Sequence, residues 1–300
     1  RDSNKNIKII AIPTRKGSCF MRKRISFISV LTMFLAIGFV IIFSRPVKAA
    51  ANGVILKSNR TYAAYDVTGD GMKDKIRIRA ANQTDDEAYS SLTVSVNGKT
   101  AYRLKNTRFY NVIANIYTLK NGQPFLYLYA PADNGDGPVC ALLKYTNGKF
   151  RKILDFTEIM AGYGNHRIGE VTNLNGNKIV ITESIVSYSL GINAINFTYK
   201  YVNGKFVPTS RYGSYKEIYS ADGSSRYFTV NSDLPAYARP GATAVNTTLK
   251  TGSLTKIIKC ALINEKMYIQ LECDGEIYWI KALENPPIAD NERQLSLIHI

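Results

Sequence analysis

Three Asn-Gly dipeptides, spaced at intervals of 50 and 56 residues, constrain the fold more than any other feature of the chain. They are Asn97-Gly98, Asn147-Gly148 and Asn203-Gly204. Alternating apolar positions flank them, as at Leu92, Val94 and Val96. Asparagine and glycine tolerate the positive φ angles of a two-residue hairpin turn, and alternation is typical of half-buried strands. The pattern predicts an all-β chain built from antiparallel hairpins.

Each of these hairpins comes after an earlier turn that leads into another strand. The earlier turns are at 66–74, 121–122 and 175–177, and the strands after them begin at Lys75, Phe125 and Lys178. Four short strands in a period of about 50 residues are typical of a propeller blade or a comparable small sheet. We therefore expect three antiparallel four-stranded repeats over residues 52–210.

The first of the earlier turns has the ligand spacing of a calcium loop, with a glycine at the sixth position for the sharp turn. The ligands would be the side chains of Asp66, Thr68, Asp70 and Asp74 and the backbone carbonyl of Met72. Arg77 stands at the twelfth position, where an EF-hand carries a glutamate, and the residues after the loop alternate like a strand. An EF-hand is therefore excluded. The alternative is a turn of aspartates and glycines that holds no metal.

The residues DVTGDGMKDKIRI at 66–78 resemble the FG-GAP/VCBS-type repeats of extracellular β-propellers, which carry a calcium loop between two strands of a blade. The resemblance covers about 52–210 and implies Ca²⁺ as a structural cofactor on the ligand set just named. Thr68 stands where the family more usually has an acid. Three repeats are fewer than the roughly four to eight blades of a closed propeller. The resemblance thus implies a partial or distorted propeller, or an open stack of sheets.

The pattern changes at Tyr227, after a polar segment at 211–226 that we interpret as a linker or last hairpin. Five short strands within about 60 residues predict a small barrel over 227–287. The residues that carry a resemblance to bacterial Src-homology-3-like domains are Ala238-Arg239-Pro240, Thr251-Gly252 and Gly275 to Trp279, with Tyr278 in place of the family's glycine. Such modules commonly bind cell-wall peptide or glycan. The candidate ligand-binding residues are Tyr237, Tyr278 and Trp279, although Trp279 alternatively belongs to the core.

The N-terminal part of the chain has a secretory pattern. Met21 is followed by a basic segment, an apolar stretch at 25–43 and alanines at 49–51. We interpret 1–20 as upstream non-native translation and 21–50 as a signal peptide with a hydrophobic helix, so that the mature protein is secreted. The alternative is an uncleaved anchor, through which alone the chain would contact a membrane.

The C-terminal residues have a different origin in this interpretation. Residues 288–294 are expected to be a tail, and 295–300 resemble the in-frame translation of a sequencing adaptor. The native chain would then have been cut near Gln294, and one hypothesis places a catalytic domain beyond that point.

Charge and cysteine content limit the partners and the chemistry. Residues 1–50 hold ten of the 39 Lys and Arg and one of the 23 Asp and Glu, which leaves 29 basic and 22 acidic residues in 51–300. This modest surplus suits an anionic wall surface, and without a dense basic run it argues against a nucleic-acid partner. Residues 51–300 contain three cysteines, Cys140, Cys260 and Cys273. Because an odd number cannot all pair in disulfides, we expect buried free thiols.

Candidates for catalytic residues are few. His166 is the one histidine before the last six residues, in a glycine-rich segment that we interpret as a turn, so paired zinc ligands of the usual spacing are excluded. The chain also lacks a Gly-x-Ser-x-Gly nucleophile motif. We therefore favour a secreted, calcium-stabilised, non-enzymatic protein that binds cell-wall polymer or a surface protein. The alternatives are the targeting part of a truncated cell-wall hydrolase and a purely structural interaction protein.

Overall fold

The computed structural model describes residues 53–83, 87–133, 136–216, 227–287 and 293–297. These residues form 21 β-strands and no α-helix, which confirms the predicted all-β class. The strands pair in an antiparallel manner throughout this part of the chain. The predicted signal helix at 21–50 and the segment 1–20 lie outside the described residues. Within the described ranges, no helix has the length and apolar character that would let it cross a bilayer.

The first sheet has four strands that succeed one another along the chain. They are β2 (Thr61–Tyr65), β3 (Asp74–Gln83), β4 (Tyr89–Val96) and β5 (Lys99–Phe109), in the order β2-β3-β4-β5. In β3, buried and exposed side chains alternate: Ile76 and Ile78 are buried, and Arg77 and Arg79 are exposed. Successive side chains of a strand point to opposite faces, so this sheet has one core face and one solvent face.

The second sheet is covered on both faces. Its strands are β1 (Val54–Leu56), β6 (Ile113–Thr118), β7 (Pro124–Ala130), β8 (Val139–Thr146) and β9 (Lys149–Asp155), in the order β1-β6-β7-β8-β9. In β7, Leu126 and Leu128 belong to the core shared with the first sheet. Phe125 and Tyr127 of the same strand belong to the core on the other face. The second sheet is therefore the middle layer of the fold.

A third meander comes after a short 3-10 turn at Phe156–Glu158. Its strands are β10 (Gly164–Asn175), β11 (Lys178–Ser187), β12 (Gly191–Val202), β13 (Lys205–Pro208) and β14 (Tyr212–Lys216). The remaining strands are β15 (Tyr227–Val230), β16 (Leu234–Ala236), β17 (Thr247–Leu249), β18 (Leu254–Ile263), β19 (Lys266–Cys273), β20 (Glu276–Lys281) and β21 (Leu295–Leu297). Three successive antiparallel meanders thus precede the C-terminal strands.

The long strand β18 joins the third meander to the C-terminal strands. Its first half pairs with β15, its second half pairs with β14, and its other edge pairs with β19. The resulting sheet runs β10-β11-β12-β14-β18-β15-β21, with β13 on β12 and β19-β20 on β18. Strand β14 lies within the segment 211–226 that was interpreted as a linker, and it forms because Tyr215 is buried in the shared core. Residues 295–297, predicted to be adaptor sequence, form β21 against β15.

The local predictions on turns and cysteines agree with the structure. Both residues of each Asn-Gly dipeptide at 97–98, 147–148 and 203–204 have positive φ angles, which confirms these hairpin turns. The described cysteines, Cys140, Cys260 and Cys273, are free and buried, as expected. Cys260 lies opposite Ile269 in the ladder and Cys273 lies opposite Thr255, so the two cysteines do not face each other.

Candidate functional site

The predicted calcium loop connects β2 to β3 and winds around the carboxylate of Asp66. Asp66 Oδ1 accepts hydrogen bonds from the N–H groups of Gly69 (2.6 Å) and Asp70 (3.2 Å), and Oδ2 accepts one from Gly71 (2.8 Å). Desolvation acts to raise the pKa of Asp66, but the N–H groups of Gly71, Gly69 and Asp70 together outweigh it and lower that pKa. The loop therefore holds Asp66 as an ionised acceptor.

Asp74, at the start of β3, ties the loop to the first Asn-Gly turn. The residue is buried, with 1% of its surface exposed. Oδ2 accepts hydrogen bonds from the N–H groups of Val67 (2.7 Å) and Thr68 (2.9 Å), and Oδ1 accepts one from Asn97 Nδ2 (2.6 Å). The sequence does not predict Asn97 as a partner of this loop, because the positive φ of the Asn97-Gly98 turn is enough to account for an asparagine there. Asp74 thus connects two turns at the same end of the first sheet.

The hydroxyl of Thr68 lies between two carboxylates. Its Oγ1 is 3.3 Å from Asp66 Oδ1 and 3.2 Å from Asp74 Oδ1. A hydroxyl carries one proton, so it satisfies one of these oxygens and leaves the other facing an acceptor. The side-chain atoms gathered here are hard oxygens, which Ca²⁺ prefers as ligands. In the type of their ligand atoms, Asp66, Thr68 and Asp74 therefore suit a calcium ion.

The structure does not bring all the predicted ligands to one point. Asp70 is exposed and accepts the N–H of Met72 (2.8 Å). The side chain of Met72 is 68% exposed, and only its backbone carbonyl was expected to bind. Across the described ranges, no three acidic, histidine or cysteine side chains are gathered closely enough to hold a metal ion. Asp66, Thr68 and Asp74 are together, whereas Asp70 does not join them in a group of that kind.

A cleft of about 710 Å³ adjoins this loop. One wall is formed by residues 64–69, and the other by the turn at 121–124 and by 144–147 at the end of β8. Hydroxyl and amide groups dominate the lining, and the half-buried rings of Tyr65 and Tyr145 contribute to it. Such a surface can hydrogen-bond a hydroxyl-rich ligand and stack against its apolar faces.

The three aromatic residues predicted to bind a ligand do not form one surface. Tyr237 and Trp279 exchange backbone hydrogen bonds of 2.7 and 2.9 Å. Both rings belong to a small cluster with Tyr268, in which Trp279 is 4% exposed. Tyr278 packs against the large core on the other face of β20, because neighbouring residues of a strand point to opposite faces. The structure therefore brings Tyr237 and Trp279 together but not Tyr278, and it places Trp279 in the core.

A buried acid and histidine form a second group, which was not expected from the sequence. His166 lies in β10 and not in a turn, because residues 164–166 pair with β11. Its Nε2 is 3.2 Å from Glu183 Oε2, and the two side chains are 13% and 1% exposed. Burial raises the pKa of Glu183 from 4.5 to about 7. An acid between Ile181 and Ile185 of a strongly apolar strand was the sequence signal for this pair.

The comparisons with known proteins leave the geometry as the basis for a functional assignment. Comparison of the chain with protein-family models, curated proteins and solved structures gave no match. The features that carry functional weight are therefore the Asp66 loop and the polar cleft that it borders.

Proposed function

We propose that this chain is a secreted, calcium-stabilised, non-enzymatic surface protein that holds a cell-wall polymer in the cleft beside the Asp66 loop. The observation that carries the proposal is that residues 66–69 belong both to the predicted calcium loop and to one wall of the cleft. A cation that orders the loop would also order that wall. Binding of the ion and binding of the ligand would therefore be coupled.

The position of Thr68 supports the calcium part of the proposal. Its single proton leaves one of the contacts to Asp66 and Asp74 between two acceptors. A cation held by Asp66, Thr68 and Asp74 would offset this repulsion. The other two predicted ligands, Asp70 and the carbonyl of Met72, would have to move to reach it. When bound, calcium would supply charge neutralisation and a fixed loop conformation.

The lining of the cleft supports a glycan-like ligand over an apolar one. Its polar groups include Thr118, Asn121 and Gln123 on one side and Thr146 and Asn147 on the other. These groups supply both donors and acceptors, which suits the many hydroxyls of a sugar chain. A wall polymer also matches the modest positive charge of residues 51–300.

A sedimentation assay on purified cell walls tests the proposal with the full chain. We expect the protein to be retained at moderate salt, with several-fold less retention when a chelator is present. The double variant Gln123→Ala/Thr146→Ala removes two lining groups and should weaken retention to a similar extent. The matched control is Thr243→Ala/Asn246→Ala, in the exposed loop between β16 and β17, and it should bind like the unmodified protein.

Three outcomes would overturn this assignment. One is no retention of the unmodified protein, and another is equal retention of the unmodified protein and its cleft variant. The third is a loss of retention in Tyr237→Ala while the cleft variant binds normally, which would move the binding site to the C-terminal strands.

A further inference from the structure

The solvent face of the first sheet carries cations that no ion pair within the described ranges neutralises. In the ladder, Thr93 of β4 lies between Arg79 of β3 and Arg103 of β5, and Ser91 lies beside Lys105 of β5. The three basic side chains are exposed. The charge of this face is thus available to a ligand.

These residues line a cleft of about 430 Å³. Its other lining groups are the hydroxyls of Ser90, Ser91 and Thr93 and the amides of Asn82 and Asn106. Its lining includes no acidic and no aromatic side chain among the described residues. The ladder between β4 and β5 shifts register beyond Ser91, next to Asn106 with its positive φ of 55°. Such an irregularity bends the strand locally and gives the face its concavity.

The surrounding sequence does not balance this charge. Between Lys75 and Ala132 the only acidic residues are those at 85–87, in the connection from β3 to β4. The opposite face of the sheet is apolar core, which screens the electric field of these cations less than water does. Lys75 and Arg77 continue the row of exposed cations along β3, so positive charges recur about every 6.7 Å, the length of two strand residues.

We propose that this face binds a linear phosphodiester polymer that carries no bases. One phosphate would lie over Thr93, between Arg79 and Arg103, whose Cα atoms are about 10 Å apart across two strand spacings. Arginine pairs bidentately with phosphate oxygens. None of the hydrogen bonds within the described ranges engages the Thr93 hydroxyl, whereas those of Ser91 and Ser95 donate to backbone carbonyls. Thr93 is therefore able to donate to the phosphate.

Three observations select this class of ligand. A row of evenly spaced cations matches a polymer with regular charges better than it matches a single small anion. The described cleft lining contains no aromatic side chain, which disfavours single-stranded nucleic acid, since its bases stack on such rings. The same lining offers no large apolar side chain that would enter a membrane. This surface shares no residue with the cleft beside the Asp66 loop, so the inference stands even if the proposed function fails.

Calorimetric titration of the full chain with a synthetic glycerol phosphate oligomer tests the proposal. We expect binding at low salt that weakens at least tenfold in Arg79→Gln/Arg103→Gln. The slope of log affinity against log salt should become shallower by about one to two in that variant. The control Arg151→Gln/Lys200→Gln removes the same charge from exposed positions on β9 and β12, and it should lose less than twofold. Circular dichroism checks the fold, and the single variants replace the double one if it does not fold.

Three results would overturn the proposal. One is no binding of the oligomer to the unmodified protein at low salt. Another is an equal loss in the face variant and the control, which would mean attraction to net charge alone. The third is tighter binding of oligo(dT) than of the glycerol phosphate oligomer, which would assign the face to nucleic acid.

Discussion

At the scale of single residues, two of the three acids in the loop at 66–74 have different roles. Asp74 is buried and accepts hydrogen bonds from Val67, Thr68 and Asn97. Asp70 is exposed and accepts one bond from within the loop. A buried acceptor contributes to stability whether or not a metal is present, whereas an exposed one contributes chiefly through an ion that it binds. The two acids therefore separate folding from calcium binding.

We expect Asp74→Asn to lower the free energy of unfolding by about 2–3 kcal/mol, because both carboxylate oxygens accept hydrogen bonds and the amide has only one acceptor, which leaves either the N–H groups of Val67 and Thr68 or the amide of Asn97 facing another donor. This loss should appear in chelator as well as in calcium.

Asp70→Asn should change stability in chelator by no more than about 0.5 kcal/mol but should abolish any gain on adding calcium. Denaturant unfolding of both variants in both conditions measures these effects. An equal melting temperature of the unmodified protein in calcium and in chelator would remove calcium from the proposed function.

The buried Glu183 should make stability depend on pH. The pKa of Glu183 is about 7 in the folded chain, whereas an ordinary glutamate, as in an unfolded chain, has a pKa of 4.5; burial causes the difference. Between pH 4.5 and pH 7 the carboxyl of residue 183 is ionised in the unfolded chain but still protonated in the folded chain. The contribution of Glu183 to the free energy of unfolding is therefore complete below about pH 4.5 and is lost as the pH rises through about 7. Of the neighbouring groups, His166 lowers this pKa, chiefly through its hydrogen bond, and Asp155 raises it.

Glu183→Gln keeps the shape and removes the ionisation. We expect the free energy of unfolding of this variant, relative to the unmodified protein, to rise by up to about 3 kcal/mol from pH 4.5 to pH 8. Urea unfolding across this range measures the difference. The control Glu158→Gln, at an exposed position, should show no such trend. A pH-independent difference between Glu183→Gln and the unmodified protein would contradict the assigned cause.

At the scale of elements, the sequence predicts well what local chemistry determines. The Asn-Gly turns and the alternation of Ile76, Arg77 and Ile78 specify hairpins and their faces, and the structure has both. Pairings between distant segments leave no such local mark. The pairing of β1 with β6, across the whole first sheet, is one example, and the pairing of β14 with β18 is another. Long-range partners are selected by the burial that a completed core provides, which no local pattern records.

The candidate site shows the same division between local and distant information. The loop at 66–74 is recognisable because its ligands and its glycines lie within nine residues. Its contact with Asn97, 23 residues from Asp74, and its place on a cleft with the turn at 121–124 depend on how the sheets pack. Tyr278 and Trp279 are neighbours in the sequence but lie on opposite faces of β20, because successive side chains of a strand alternate between faces.

The second Asn-Gly turn permits a test of backbone strain at one position. Gly148 has a φ of 78°, and a Cβ added there would meet no atom within 4 Å. Gly148→Ala should therefore cost about 1 kcal/mol through backbone conformation alone. Asn147→Gly keeps the positive φ available at the preceding position and should change stability by no more than about 0.5 kcal/mol. Equal losses in both variants, measured by denaturant unfolding, would show that side-chain contacts and not φ control this turn.

At the scale of the whole molecule, the sequence suggested a boundary that the packing does not respect. Residues 52–210 and 227–287 were expected to be separate domains. In the structure the described part of residues 50–300 is one compact unit, and one core cluster includes residues from both segments, such as Phe197 and Leu271. The joint is the pairing of β14 with β18, where Gly213 lies opposite Cys260. A shared core and a shared sheet favour cooperative unfolding.

The single tryptophan makes this cooperativity measurable. Trp279 lies in β20, so its fluorescence reports on the C-terminal strands, whereas far-ultraviolet circular dichroism reports on all strands. We expect the two signals to give the same denaturant midpoint, because unfolding of the C-terminal strands would expose the core that they share with β12 and β14. Separate midpoints would instead support two independent domains.

A variant at the joint shows whether its packing couples the two segments. A Cβ added to Gly213 would lie 2.6 Å from Phe197 and 2.7 Å from Ile195, both of β12, and 2.9 Å from Cys260 of β18. Gly213→Ala therefore crowds the packing of β14 against both of its neighbours. We expect a loss of about 2 kcal/mol or more and, since the joint carries the coupling, two midpoints that separate. If Gly213→Ala lowers both midpoints equally, the cooperativity resides in the wider core and not in this pair of strands.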